Sequence, residues 1–243
     1  MILGVDGRVL AVIAVVLVIG AAVQGLVGLG LNLVSAPVVT ILDPSLMPEV
    51  PLLLATVLPL MTLVRSHAEI DWGGLGWVLS ARLPGTAAGV WMLAVFSDKH
   101  LGITVAVMVL LAVALTVHAV EVPVRPATLT VAGFLSGVAG TATSIGGPPV
   151  ALLYQHRSPD QIRSTLAILF TVGAGMSLAG IWVAGHFEIR LLFLALLLIP
   201  CLAVGTWVGG RLHGVVPDPV IRYAVLAVCG ASAVALLVRS LMG

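Results

Sequence analysis

The chain has 243 residues, a net charge of +1, and a mean hydropathy of +1.21, with 60% hydrophobic and only 9% charged residues. A soluble globular domain carries roughly 25% charged residues, so there is too little charge here to cover a water-facing surface, and lipid must solvate most of the outside. The near-neutral charge offers no basic face for nucleic acid, and two cysteines, Cys201 and Cys229, both inside apolar stretches, exclude a disulfide framework or a metal-ligand spacing.

A spanning helix needs about 20 mainly apolar residues. Eight apolar blocks follow one another at 9–42, 49–65, 73–96, 100–119, 127–153, 161–185, 189–213 and 219–241. Short connections hold most of the charge: Asp43 and Glu49, His67 to Asp71, Asp98 to His100, Glu121 and Arg125, Arg157 to Arg163, His186 to Arg190, and Arg211 to Asp218. The expected fold is therefore an all-α integral membrane protein, a polytopic helical bundle forming one transmembrane domain. A β-barrel would read as alternating ten-residue segments. Arg8, the apolar run after it and Ala21-Ala22 imitate a signal peptide, but a repeat recruits residues just beyond that point.

Blocks 1 and 5 are longer than one span, and each contains glycine, small polar residues and proline. Gly25 to Pro37 aligns without a gap on Gly137 to Pro149 at an offset of 112 (137 − 25). A second match, Pro84 to Trp91 on Pro200 to Trp207, has an offset of 116 (200 − 84) and pairs proline, alanine, glycine and tryptophan. The chain reads as an internal duplication, about 1–120 and 121–243. If each cluster breaks a single re-entrant segment, there are eight spans and parallel halves. If each broken block crosses twice, there are ten crossings and inverted halves. Lys and Arg are spread over nearly every loop, so the positive-inside rule does not orient the chain.

Glycine and proline weaken helices, and freed backbone polar groups cannot face hydrocarbon. Paired broken helices meeting near the midplane are a device of secondary transporters, and helix N-termini suit anions. Gln24, Asn32, Ser35, Thr141, Thr143 and Ser144 add neutral hydrogen-bonding groups, and Gly28, Gly30, Pro37, Gly140, Gly146, Gly147 and Pro148 shape the breaks. The competing reading is tight packing through small residues. Arg82 lies about ten residues into block 3, Arg65 ends block 2 and Arg163 begins block 6. Each offers an anion counter-charge or snorkels to the headgroups. His67, His118 and His156 sit near block ends, as interfacial histidines do. No His-Glu-x-x-His motif, Gly-x-x-x-x-Gly-Lys-Ser/Thr loop or Gly-x-Ser-x-Gly elbow is present, so the chain does not read as an enzyme, and no cofactor is expected.

At these residues the sequence resembles the TauE/SafE family of sulfite-exporter-like transporters. The resemblance lies in the run Gly25 to Pro37, in Gly133 to Gly137 continuing through Thr141 to Pro149, in Arg82 with Pro84-Gly85 and Gly89, and in Arg163 to Ala167. It implies a transporter of small organic or inorganic anions, often sulfur-containing and coupled to protons, in a plasma membrane such as a bacterial inner membrane. Leu29-Gly30-Leu31-Asn32 departs from the commonest form of the first cluster, which leaves the substrate open. The lipid bilayer is the other partner, and a homodimer is compatible with the sequence. A passive anion channel and a non-transporting assembly factor or scaffold are the alternatives.

Overall fold

The computed structural model describes residues 3–27, 30–63, 70–118, 122–212 and 218–242. Within them the chain forms ten α-helices: α1 (Gly7–Val27), α2 (Leu31–Leu42), α3 (Glu49–Leu63), α4 (Trp72–Val95), α5 (Asp98–His118), α6 (Pro126–Thr143), α7 (Pro148–Tyr154), α8 (Pro159–Val183), α9 (Ile189–Leu212) and α10 (Asp218–Met242). A 3-10 turn, Pro44–Leu46, links α2 to α3. Six helices are long and apolar enough to cross a membrane: α1, α4, α5, α8, α9 and α10. Helix α4, at 24 residues, is about 36 Å long at 1.5 Å per residue, enough for a hydrocarbon core of about 30 Å.

The long blocks 1 and 5 each divide in two. In block 1 the chain reverses around residue 30, and Leu31 lies against Gly20, eleven residues back along α1. Gly30 sits so close to Val23 that a Cβ there would overlap the valine side chain. In block 5, α6 ends at Ser144, whose φ of 61° and ψ of 8° place it in the left-handed region, a conformation that stops a helix. Gly146 then packs back against Gly140. Each block is thus a helical hairpin. The prolines inside α2, α3, α4 and α9, namely Pro37, Pro59, Pro84 and Pro200, do not end their helices, because packed neighbours shelter the freed backbone groups. Starts follow ordinary capping chemistry: Asp71 accepts from Gly74 N at 2.9 Å, and Ser158 accepts from Gln161 N at 3.3 Å.

The connections sort onto two faces. On the first, Arg190 donates to Leu3 O, Arg239 to Ile41 O, and Thr40, Pro44, Met47, Leu93 and Asp98 surround one small cavity. On the second, the Tyr154 hydroxyl donates to Asp71 Oδ2 at 2.9 Å and Asp71 N donates to Thr165 Oγ1 at 3.3 Å. Exposed tryptophans mark both levels: Trp91 and Trp182 towards the first face, Trp72, Trp77 and Trp207 towards the second, as amphipathic rings do at membrane interfaces. Arg211 covers the Trp207 ring at 4.8 Å. Between these levels Val15, Ile19, Leu83, Leu111, Phe193, Leu196 and Val204 point outward. Exposed apolar faces of this extent are unsuited to water but match lipid.

Helix pairs are held by small residues. Helix α4 packs on α6, α1 on α9, α3 on α8 and α5 on α10. At the α4–α6 crossing, a Cβ added at Gly137 would lie 2.5 Å from the Arg82 carbonyl oxygen and 2.9 Å from Thr86 N. Backbone thus meets backbone there. Four apolar clusters fill the interior, the largest joining Ile13, Leu17, Leu31, Leu54, Leu58, Leu194 and Leu198.

Candidate functional site: a buried arginine between two hairpin tips

The two hairpin tips meet inside the bundle. Asn32, two residues into α2, donates from Nδ2 to the carbonyl oxygen of Ser144 at 2.8 Å and to Pro51 O at 3.4 Å. The left-handed turn at Ser144 is what leaves that carbonyl off the α6 ladder, and the Ser144 hydroxyl meanwhile donates to Thr143 O at 2.6 Å. Gln24 Oε1 accepts from Leu31 N at 3.1 Å, which caps the start of α2 from α1.

A cavity of about 40 Å³ lies at this junction. Gln24, Gly30, Asn32 and Leu33 line it from the first hairpin, and Gly140, Ser144, Ile145, Gly146, Gly147 and Pro148 from the second. Leu52 and Ala55 of α3, Arg82 of α4, and Phe170 and Ala174 of α8 close it.

Arg82 is 2% exposed. Its Nη1 donates to Ser136 Oγ at 2.5 Å, and its Nη2 reaches Ser177 Oγ at 3.5 Å. The Ser136 hydroxyl in turn donates to Gly146 O at 2.6 Å, which ties the arginine to the second tip. Nε has no partner, and among the described residues no carboxylate lies within 4 Å of the guanidinium. A buried cation without a counter-charge is costly, and in a membrane interior it marks function. Room for the guanidinium comes from glycines: a Cβ at Gly140, Gly146 or Gly173 would fall on it.

Nine of the residues singled out in the sequence line this cavity: Gln24, Gly30, Asn32, Arg82, Gly140, Ser144, Gly146, Gly147 and Pro148. Ser35, Pro37, Thr141 and Thr143 do not line it. Thr143 instead bonds Ala139 O at 2.6 Å one turn back, and Thr141 pairs with Ser177 at 2.8 Å. The Ser35 hydroxyl is buried with no partner. Gly28, Arg65 and His67 lie outside the described residues, as does the His118 side chain. Arg163 donates to Leu26 O at 3.1 Å, at the end of α1, where a cation complements the helix dipole. His156 is exposed at the second face.

Two residues that touch Arg82, and one buried acid away from the cavity, were not singled out in the sequence. Ser136 holds Arg82, and its signal was available: it lies in the run Gly133 to Gly137 and stands 112 residues after Gln24 (136 − 24), one position before the first repeat match. Ser177 gave no signal, being one serine in a uniform apolar block. Glu49, assigned to a connection, is the first residue of α3 and is 7% exposed, with Oε2 unpartnered.

Six helices long and apolar enough to cross a membrane, an apolar exterior and a buried cation beside an internal cavity define a multi-pass membrane protein. A family model, the sulfite exporter TauE/SafE family, matches residues 12–236, nearly the whole chain, and the chain belongs to that family of membrane transporters. Comparison with curated proteins and with solved structures gives no match.

Proposed function

We propose that the chain is a secondary transporter that moves a small anion, sulfur-containing or organic, through the cavity between the hairpin tips, in exchange with or together with protons. One observation carries the reading: Arg82, buried and with no carboxylate beside it among the described residues, lines a cavity to which both tips contribute. An anion there neutralises the guanidinium and meets the amide groups of Gln24 and Asn32. The plasma membrane is the location that this reading assigns.

We further infer two halves of opposite orientation, residues about 1–120 and 121–243. Helices α1 to α5 and α6 to α10 run through the same order: a hairpin, then three further helices. The first hairpin returns to the first face and the second to the second face. Packing supports the same relation, since α4 on α6 answers α9 on α1, and α3 on α8 and α5 on α10 are their own counterparts. The Asn32–Ser144 bond joins equivalent positions of the two clusters, 112 apart. This arrangement differs from both alternatives weighed in the sequence: with α1 taken up in the first hairpin despite its length, and the shorter α3 counted as a crossing, each half has one hairpin and three crossings, and an odd number of crossings inverts the next half. Access then alternates as one half rocks against the other.

The test is uptake of labelled sulfite, sulfate, thiosulfate, small sulfonates and carboxylates into proteoliposomes, with and without a pH gradient. Gradient-dependent flux of one anion is expected. Flux indifferent to the gradient makes the protein a channel, and no flux from folded protein returns the assembly-factor reading.

A further inference from the structure

We propose that the cavity accepts its anion with a single net negative charge, so that a dibasic acid passes as its hydrogen form and carries its own proton across. This inference rests on the reading of Arg82 as the anion's counter-charge. Among the described residues, Arg82 is the only charged side chain lining the cavity. The groups facing it are Ser136 of α6, Gly173 and Ser177 of α8, and Gly140 and Gly146 of the second hairpin, and none of them titrates. The position on α9 that corresponds to Arg82 at the offset of 116 is Leu198, so the second half brings no matching cation. Beside Arg82, which is 2% exposed, a dianion leaves one charge uncompensated in a medium of low dielectric, which is strongly disfavoured.

Size and the two unpartnered polar atoms agree with the charge. About 40 Å³ holds about three water-sized groups, the size of a three-oxygen head. Asn32 Nδ2 donates to two carbonyls, Ser144 O and Pro51 O, which fixes the orientation of its amide. Its Oδ1 is then left as an acceptor without a partner, and Arg82 Nε as a donor without one, both sealed from water. An oxyanion that retains one hydrogen supplies an acceptor for the arginine and a donor for the asparagine as the side chains close on it. A fully deprotonated one serves only the arginine. The other buried charged residue among the described residues, Glu49, does not line the cavity, and on this account it carries no transported proton.

The test is binding to the purified wild-type protein in detergent, by calorimetry, across the pH range of the second ionisation of sulfite. Nitrate serves as a monovalent control that does not titrate, and sulfate as a permanent dianion. The expected result is a nitrate affinity independent of pH and a sulfite affinity that falls about tenfold per pH unit above its second ionisation. Sulfate should bind roughly 100-fold more weakly than nitrate, or less. Sulfate binding as tightly as nitrate, or sulfite affinity that stays level or rises with pH, overturns the single-charge proposal while leaving the anion site intact. If none of the three binds, the anion-site reading itself fails. In proteoliposomes, Glu49→Gln should keep the dependence of sulfite flux on the pH gradient, and its loss with flux retained places the proton on Glu49 and overturns the proposal.

Discussion

Replacing Arg82 by glutamine removes the charge but keeps a polar side chain beside Ser136. Breaking a buried ion pair by removing one partner costs about 3–5 kcal/mol, so anion affinity should fall by a factor of about 10² to several times 10³. The effect is readable as stabilisation. At an anion concentration 100 times its dissociation constant, the wild type gains about 2.7 kcal/mol, or roughly 5–10 °C in Tm for a chain of this size. At the same concentration the variant stands at or below its own dissociation constant and gains at most about 0.4 kcal/mol, roughly 1 °C. Without anion the variant should stay folded, because losing the hydrogen bonds to Ser136 and Ser177 is offset by relief of an uncompensated buried charge. The assay is thermal unfolding of detergent-purified protein with and without sulfite. A full anion-dependent shift in Arg82→Gln would refute the reasoning, since the guanidinium would then not be where the anion binds.

Asn32→Ala removes the bond between the tips, and should cost about 1 kcal/mol of stability but most of the flux, measured by unfolding and by uptake. Gly137→Ala places a methyl 2.5 Å from Arg82 O. It should lower Tm and flux together through a forced shift of α4 on α6, whereas Gly210→Ala, with nothing within 4 Å, should be neutral or slightly stabilising. Tyr154→Phe leaves Asp71 Oδ2 without its 2.9 Å donor and should cost about 1–3 kcal/mol, measured by unfolding, without changing anion affinity.

The helices were legible because lipid demands long apolar runs, and block ends fell within a few residues of helix ends. The break in the first hairpin was legible from Gly28 to Gly30, but Pro37, which also suggested a break, sits inside α2, where neighbouring helices replace what the proline removes. Polarity alone did not sort the cluster residues. A hydroxyl on a helix readily bonds the carbonyl one turn back, as Thr143 does with Ala139, and so turns away from the cavity, while Asn32, with a longer arm, reaches the opposite tip. Phe170 and Ala174 were beyond reach, because their approach to the cavity depends on how α8 packs on α3, which no local pattern records.

The most direct measurement is a structure of the protein with selenite, whose selenium reports its own position by anomalous scattering. The account predicts a selenium peak between the hairpin tips, with an oxygen within about 3.2 Å of the Arg82 guanidinium and beside Asn32. Selenium elsewhere in the bundle, with the space at Arg82 filled only by water, would contradict it.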